Sequence, residues 1–517
     1  MAETKEIKTE TTTTQDSQIV DDDIQGQVHE IVDRIGKDAD VGLALFEKSF
    51  QYDPAQLQRD SVKVRRKLDF LVLPLMMVTY MWSFLDKSTL NYSNSYGLQK
   101  DLNITGDQYS WIASALYFGW LAAAWPWNIL IQKYPVGRLA GYVLVVWGVL
   151  CMLQGAVYNF AGFVVIRFFL GAVEAMVSPA WVILTSMLYT REEQPLRTSF
   201  WLGMNGVSIV IGALLSYGLG HASGLAVPNW KLIYLVVGAL TTAWAVVIIL
   251  YLPDGPHNAK CLNEYERVVA VWRVSHNNSG VKHSKFLAYQ VKEALWDSKT
   301  WILMVQAAAF GILNGGVSSF QTAIIKGFGF SALKTSLYTT PAGALEVVGV
   351  LFFGWLSTKK NCMGLALMLS VIPGIGGLAG MMTLPVTHRY NLLACAWCQN
   401  IVGSPIILSW TLPATNVAGH TKRATVLGLY FIFFCGGSIA GPHLFFEQEA
   451  PRYPSALKGM MVCYAVGFGT QAVYTAFVYA QNKARDKKQL HTQVEREALE
   501  GFEDLTDMEN LHFRYRV

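Results

Sequence analysis

Twelve apolar stretches, each roughly 17–25 residues long, constrain this chain more than any other feature, because each can cross a bilayer as a helix. They cover approximately 68–92, 109–131, 139–158, 161–188, 199–220, 232–252, 300–325, 335–357, 363–384, 390–412, 424–446 and 459–480. In lipid such a stretch must satisfy its backbone internally, which selects the helix. The 41 basic and 37 acidic residues avoid these stretches: 24 fall in residues 1–68, 12 in 253–299 and 15 in 481–517. The chain therefore reads as an all-α membrane protein with twelve transmembrane helices, and a soluble enzyme is excluded. A net charge of +4 is too mild to argue for a nucleic-acid partner.

The crossings divide six and six around a polar segment, the layout of a two-bundle secondary transporter. The expected parts are a tail (1–67), a six-helix bundle (68–252), a central loop (253–299), a second six-helix bundle (300–480) and a tail (481–517). Lys and Arg orient them. With residues 1–67 in the cytoplasm, inner segments hold about 23 basic residues and outer loops about seven, so both termini are expected inside. The sequon Asn103-Ile104-Thr105 then faces outward and is open to glycosylation, whereas Asn277-Asn278-Ser279 faces inward. The first 60 residues are polar, so the first crossing is expected to act as its own insertion signal. An amphipathic pattern over 28–50 suits a short surface helix or a transient one, Leu262–Val274 reads as a cytoplasmic strut, and the charged tail after 481 reads as solvated.

No phosphate-binding Gly-x-x-x-x-Gly-Lys-Ser/Thr, metalloprotease motif or nucleophile elbow occurs. Neither a nucleotide, a metal nor an organic cofactor is expected, and uphill movement needs an ion gradient. Cys395-Ala-Trp-Cys398 lies in an apolar helix without companion ligands and reads as packing.

Few ionisable groups sit within the crossings: Asp86 and Lys87 in the first, Arg167 and Glu174 in the fourth, Glu346 in the eighth and His443 in the eleventh. A charge at mid-membrane costs roughly 2.5–3.5 kcal/mol on insertion scales, so such groups face a partner or a wet cavity. Arg167 and Glu174 are seven apart and share a helical face. By depth, Asp86 is expected to meet Arg167, and Lys87 to meet Glu174 more loosely. Two readings stand: static ion pairs that fasten two helices, or a coupled site in which a carboxylate carries a proton and the arginine binds an anion. Glu174 is the first candidate for the proton and Glu346 the second, with Asp86 also counted in the proton-coupling set; a packing role for Glu346 is equally open. His443 follows Gly441-Pro442 and reads as structural. Cavity lining is expected from Asn91, Tyr92, Asn205, Asn314, Gln321, Tyr338, Gln399, Asn400 and Trp410. Asn314 stands out because Gly315 and Gly316 let its helix bend. The expected substrate ligands are Lys87, Arg167, Asn91, Tyr92, Asn314 and Gln321.

Several motifs taken together carry a family resemblance. They are Phe84-Leu-Asp-Lys-Ser-Thr-Leu-Asn-Tyr92, Arg167-Phe-Phe-Leu-Gly-Ala-Val-Glu174 with Pro179, then Tyr189, Glu192 or Glu193, and Arg197. Later come Asn416-Val-Ala-Gly-His-Thr-Lys-Arg423 and Gly441-Pro442. Over roughly 65–480 the chain resembles the fungal allantoate-permease-like transporters, in the anion:cation symporter branch of the major facilitator superfamily. The loop usually reading Gly-x-x-x-Asp-Arg-x-Gly-Arg-Arg has Gln132 in the acidic place, with Lys133 and Arg138 as its basic residues. Gly354 to Lys359-Lys360 echoes it, and these four basic residues are the expected gating-loop groups. The resemblance implies a major facilitator fold, a monomer, and proton-coupled uptake of a small organic anion across the plasma membrane. It also implies that Asp86, Lys87, Arg167 and Glu174 form the charged site. An exporter of the same fold, ejecting a toxin or secondary metabolite, is the alternative; a transporter-like nutrient receptor is a third.

Overall fold

The computed structural model describes residues 40–190, 192–222, 227–275, 287–359, 362–489, 505–510 and 513–517. Helices α1 (Asp40–Ser49) and α2 (Pro54–Leu71) lead into α3 (Leu73–Ser95), and α2 with α3 makes the first crossing. The second to sixth crossings are α4 (Gly106–Lys133), α5 (Val136–Gln154), α6 with α7 (Phe160–Glu174, Val177–Leu188), α8 with α9 (Gln194–Leu202, Met204–Gly220) and α10 (Asn229–Tyr251). Two short helices follow, α11 (Glu264–Ser275) and α12 (Ala288–Trp296). The second half comprises α13 (Ser298–Gly327), α14 (Ala332–Lys359), α15 (Met363–Thr383), α16 with α17 (Arg389–Gln399, Gly403–Asn416), α18 (His420–Ala440) and α19 (Pro454–Gln489).

Among the described residues eleven of these crossings are long and apolar enough to span a membrane. The twelfth, α4, runs for 28 residues and is diluted by Gln108, Asn128 and Lys133. Three crossings are interrupted where proline removes a backbone donor: Pro74 opens α3, Pro179 lies just past the break between α6 and α7, and Pro405 just past that before α17. Two of these breaks fall beside polar groups, Glu174 in one case and Asn400 in the other.

Small residues set the helix spacing, as expected where lipid and side chain are equally apolar. A Cβ on Gly171 would lie 1.9 Å from the Leu116 carbonyl oxygen, and one on Gly119 would lie 2.0 Å from that of Phe168, so α4 and α6 touch backbone to backbone. Gly315 and Gly437 do the same for α13 and α18. The two halves meet through Gly206 of α9 and Gly343 of α14, each against the other's carbonyl.

An even number of crossings puts both chain ends on one face, called the terminal face below. The hydrogen bonds that join the halves gather toward the opposite face. Thr322 Oγ1 donates to Asn91 Oδ1 at 2.7 Å, Lys326 Nζ to the Ser95 carbonyl at 2.8 Å, and Ser110 Oγ to the Pro442 carbonyl at 3.0 Å. The described clasps on the terminal face each stay within one half: Asp69 with Arg197 at 2.7 Å in the first, Lys422 with Asp507 at 2.7 Å in the second.

The polar segments depart from expectation in one place. The tail after 481 is not wholly solvated: α19 continues to Gln489, and residues 505–510 and 513–517 fold back with Asp507 and Tyr515 buried. Carboxylate and phenol find buried partners there that no local pattern announces. The strut expected over Leu262–Val274 is α11, packed on α1 and α2. Of the amphipathic stretch 28–50, residues 28–39 lie outside the described residues. The rest forms α1, which buries Leu45 and ties Lys48 to Glu264 at 2.7 Å. Asn277 also lies outside them.

Candidate functional site

A polar cavity lies between the halves. From α3 it takes Phe84, Ser88, Asn91 and Tyr92, and from α13 Asn314, Val317, Ser318 and Gln321. These are three- and four-residue steps, one face of each helix. Asn205 comes from α9, Glu346 from α14, and Asn400 and Gly403 from the break before α17. Five of the expected site residues, Asn91, Tyr92, Asn314, Gln321 and Glu346, therefore share one chamber.

Their hydrogen bonds separate braces from free groups. Asn91 Oδ1 accepts from both the backbone and the hydroxyl of Thr322, and Tyr92 Oη donates to the Ile209 carbonyl at 3.0 Å. Both are spent on holding helices together. Asn314 Nδ2 donates to Tyr117 Oη at 3.0 Å and Ser438 Oγ at 3.2 Å. Gln321 Nε2 and Asn205 Oδ1 are buried with no protein partner, a donor and an acceptor left for a solute or water.

A smaller cavity adjoins it through Ser318 and is lined by the two basic groups, Lys87 and Arg167. The Lys87 ammonium sits among the rings of Tyr117 (4.9 Å), Phe84 (5.5 Å) and Trp120 (5.6 Å), an aromatic box suited to a cation. Arg167 is buried, with Nη2 3.5 Å from Tyr234 Oη and Nε without a partner. Among the described residues neither has a carboxylate within 4 Å.

The expected pairs do not form as ion pairs. Asp86 turns away from the cavity, accepting from Trp147 Nε1 and from Cys151 Sγ at 2.7 Å. Asp86 is drawn toward Trp147 and Cys151, while its neighbour Lys87, about 100° further round the helix, lines the smaller cavity. Glu174 ends α6, where its Oε1 accepts from Ser83 Oγ at 2.9 Å and its Oε2 is buried without a partner. Glu346 is buried against the bare backbone of Gly403. The charge of Lys87 acts on both carboxylates, one in each half.

The other candidates lie apart. Lys133 is exposed at the end of α4. Arg138 ties to Asp254 through its backbone N–H (3.0 Å) and its guanidinium (3.4 Å). Lys359 lies over Trp355 at 4.7 Å, and Lys360 is outside the described residues. Asn103 is exposed in the loop before α4 with φ of 50°. His443 joins the halves, its Nε2 3.3 Å from Ser114 Oγ and its Nδ1 3.8 Å from Asp107. Trp410 packs edge-on against Tyr430 and Phe434. Sequence reasoning missed Tyr117 and Trp120, whose spacing of three on α4 was a usable signal, and Tyr234 and Ser83, which gave none.

A two-half helical fold with a polar chamber between the halves is the architecture of a transporter that works by alternating access. The model of the Major Facilitator Superfamily matches residues 76–442, and the chain belongs to that superfamily. Within it the chain is allantoate-permease-like. It is 32% identical to the allantoate permease of Saccharomyces cerevisiae over 88% of this chain and 86% of that protein. It is 31% identical to the thiamine pathway transporter THI73 of the same yeast, over 88% and 86%, and 35% identical to an uncharacterized transporter of Schizosaccharomyces pombe, over 93% and 94%. Among solved structures it is similar in fold to a bacterial homolog of the human lysosomal transporter Spinster. That match has a TM-score of 0.57 at 15% identity and covers 78% of this chain and 95% of that one. The xylose transporter XylE of E. coli matches with a TM-score of 0.55 at 11% identity, over 76% and 95%.

Proposed function

We propose that the protein imports a small organic anion together with a proton, by alternating access at the chamber between the halves. The observation that carries this reading is the pair Lys87 and Arg167, two cations in a shared cavity with no carboxylate of the described residues within ion-pair distance. A buried cation without a counter-ion is costly, and a carboxylate solute supplies the missing charge. Arg167 offers a planar fork for a carboxylate and Lys87 a point charge. Gln321 Nε2 and Asn205 Oδ1 then read the polar remainder of the solute.

Glu174 and Glu346 are the proton-carrying groups in this reading, with Lys87 between them. A proton on Glu174 removes one negative charge beside Lys87 and leaves its ammonium free for the anion, so the two cargoes favour each other. Asp86, held by Trp147 and Cys151, fastens the first crossing to the third instead of moving with the cargo. The terminal face is assigned to the cytoplasm and the membrane to the plasma membrane, with the protein acting as a monomer, without a cofactor and without catalysing a reaction. In that orientation the outer side is the one clasped between the halves by Asn91, Thr322 and Lys326.

The test is uptake of labelled allantoate, the solute named for a relative, followed by a competition screen of other small carboxylates. In yeast expressing the protein, acidifying the medium from pH 7 to 5 should raise accumulation of the transported label several-fold. An exporter would lose label under the same gradient, and a receptor would bind without flux. Arg167→Ala should reduce uptake more than tenfold with surface protein unchanged; normal flux in that variant would remove Arg167 from the site.

A further inference from the structure

Two described segments of the tail, 505–510 and 513–517, return to the terminal face and enter a buried ionic cluster. Asp507 lies 2.6 Å from Lys299 Nζ through Oδ2 and 2.7 Å from Lys422 Nζ through Oδ1. Tyr515 Oη is 2.5 Å from Lys299 Nζ and 2.7 Å from Asp507 Oδ2. The tail's backbone is held as well. Asn482 Nδ2 donates to the Tyr515 carbonyl at 2.9 Å, and Arg485 Nη1 to that of Phe513 at 2.6 Å. Asn416 Nδ2 donates to the Arg516 carbonyl at 3.0 Å, while Asn416 Oδ1 accepts from Arg516 N at 2.8 Å. Lys299 opens α13, Asn416 closes α17, Lys422 stands in the first turn of α18, and Asn482 and Arg485 are on α19. The tail thus joins four of the six crossings of this half.

The charges explain why the segment is needed there. Lys299 and Lys422 are both buried, both positive, and both placed in the first turn of a helix, where the dipole is unfavourable to cations. Asp297 lies 3.2 Å from Lys422 and Glu293 lies 2.9 Å from it. Asp507 is the carboxylate that lies against both buried lysines, and it is nearer to Lys299 than Asp297, which stands 3.5 Å away. Removing one partner of such a buried cluster is the costly case for ion pairs.

The first half repeats the arrangement. Asp69 of the first crossing pairs with Arg197 of the fifth, and Arg273 of α11 reaches Glu193 in the preceding loop at 2.5 Å. Helix α11 follows the sixth crossing as the tail follows the twelfth. Each half is bound, at the same face, by the chain that leaves its last helix.

We infer that the tail segments 505–510 and 513–517 are a structural brace that makes the second half a single rigid body on the terminal face, as α11 does for the first. The inference is independent of the substrate. Rocking between two states needs halves that move as units, so the tail is part of the moving machine. Whatever draws it off the face softens the ends of α13 and α18.

Amide hydrogen exchange on the purified full-length protein in micelles tests this. Asp507→Asn should raise exchange more than tenfold in residues 299–304 and 421–426, while residues 64–71 and 194–202 of the other half stay as in the parent. Faster exchange confined to the tail itself, with α13 and α18 unchanged, would overturn the inference. Tyr515→Phe keeps every charge and removes one hydroxyl; it should produce the same pattern at about threefold, and covers the case in which Asp507→Asn does not fold. Parent-like exchange at α13 and α18 in Tyr515→Phe when Asp507→Asn is unfolded would equally count against the brace.

Discussion

Asp86 and Lys87 are neighbours in sequence, yet one turns into the first bundle and the other into the cavity between the halves. Trp147 and Cys151 hold Asp86 in the first bundle, and Lys87, about 100° further round the helix, is left to the cavity. Glu174 is held from one side only, by Ser83, and its second oxygen is buried without a partner, which is why it is the first group to test for the proton of the proposed cycle. Glu174→Gln is isosteric and keeps the Ser83 contact. It is expected to abolish the rise in accumulation on external acidification while leaving exchange of labelled for unlabelled solute within about threefold. An unchanged pH response in vesicles would shift the proton to Glu346. In the same assay Asp86→Asn is expected to alter expression more than pH response, because its carboxylate serves Trp147 and Cys151.

At the scale of elements, helix contact in this protein is a matter of absent side chains. Gly171 lets α6 lie against the backbone of α4, and its neighbours on that face are Arg167 and Glu174, so the same contact sets the depth of the charged groups. Gly171→Val would drive a branched side chain into the Leu116 carbonyl, which cannot swing aside as a side chain can. The expected cost is on the order of 1–3 kcal/mol, the usual range for overpacking, or more. A melting temperature several degrees below the parent would show it, against an unchanged value for Gly428→Ala, where a Cβ meets nothing within 4 Å. Parent-like melting of Gly171→Val would mean that α4 and α6 separate easily.

Across the whole molecule, the terminal face is stapled within each half and the opposite face is stapled between halves. Acid should act on the first kind of staple at the tail. Burial works to raise the pKa of Asp507, and the Lys299 and Lys422 charges outweigh it and hold the carboxyl below the ordinary aspartate value. A depressed carboxyl stabilises the folded form above the unfolded pKa, roughly 3.9, and loses that contribution as pH falls through its own lower value. Glu293, Asp297, Arg485 and Tyr515 complete the surroundings. Tail protection is therefore expected to be constant from pH 7 to 5 and to fall only below about pH 4. Hydrogen exchange of residues 505–510, corrected for intrinsic rate, would reveal an earlier loss as a failure of this account.

The sequence by itself determined the number of crossings, their order, and the few charges within them, since lipid tolerates only long apolar helices and penalises every exception. Asn91, Tyr92, Asn314, Gln321 and Glu346 were legible as cavity lining because polar groups in such helices stand out against their surroundings. Which of them brace and which stay free was decided by tertiary structure: Asn91 is taken by Thr322, 231 residues away, and Gln321 is not taken. The same holds for Asp86, for the aromatic box around Lys87, and for a charged tail that became a buried brace. Periodicity along a chain records which side of a helix avoids lipid, but a partner brought across hundreds of residues leaves no local trace.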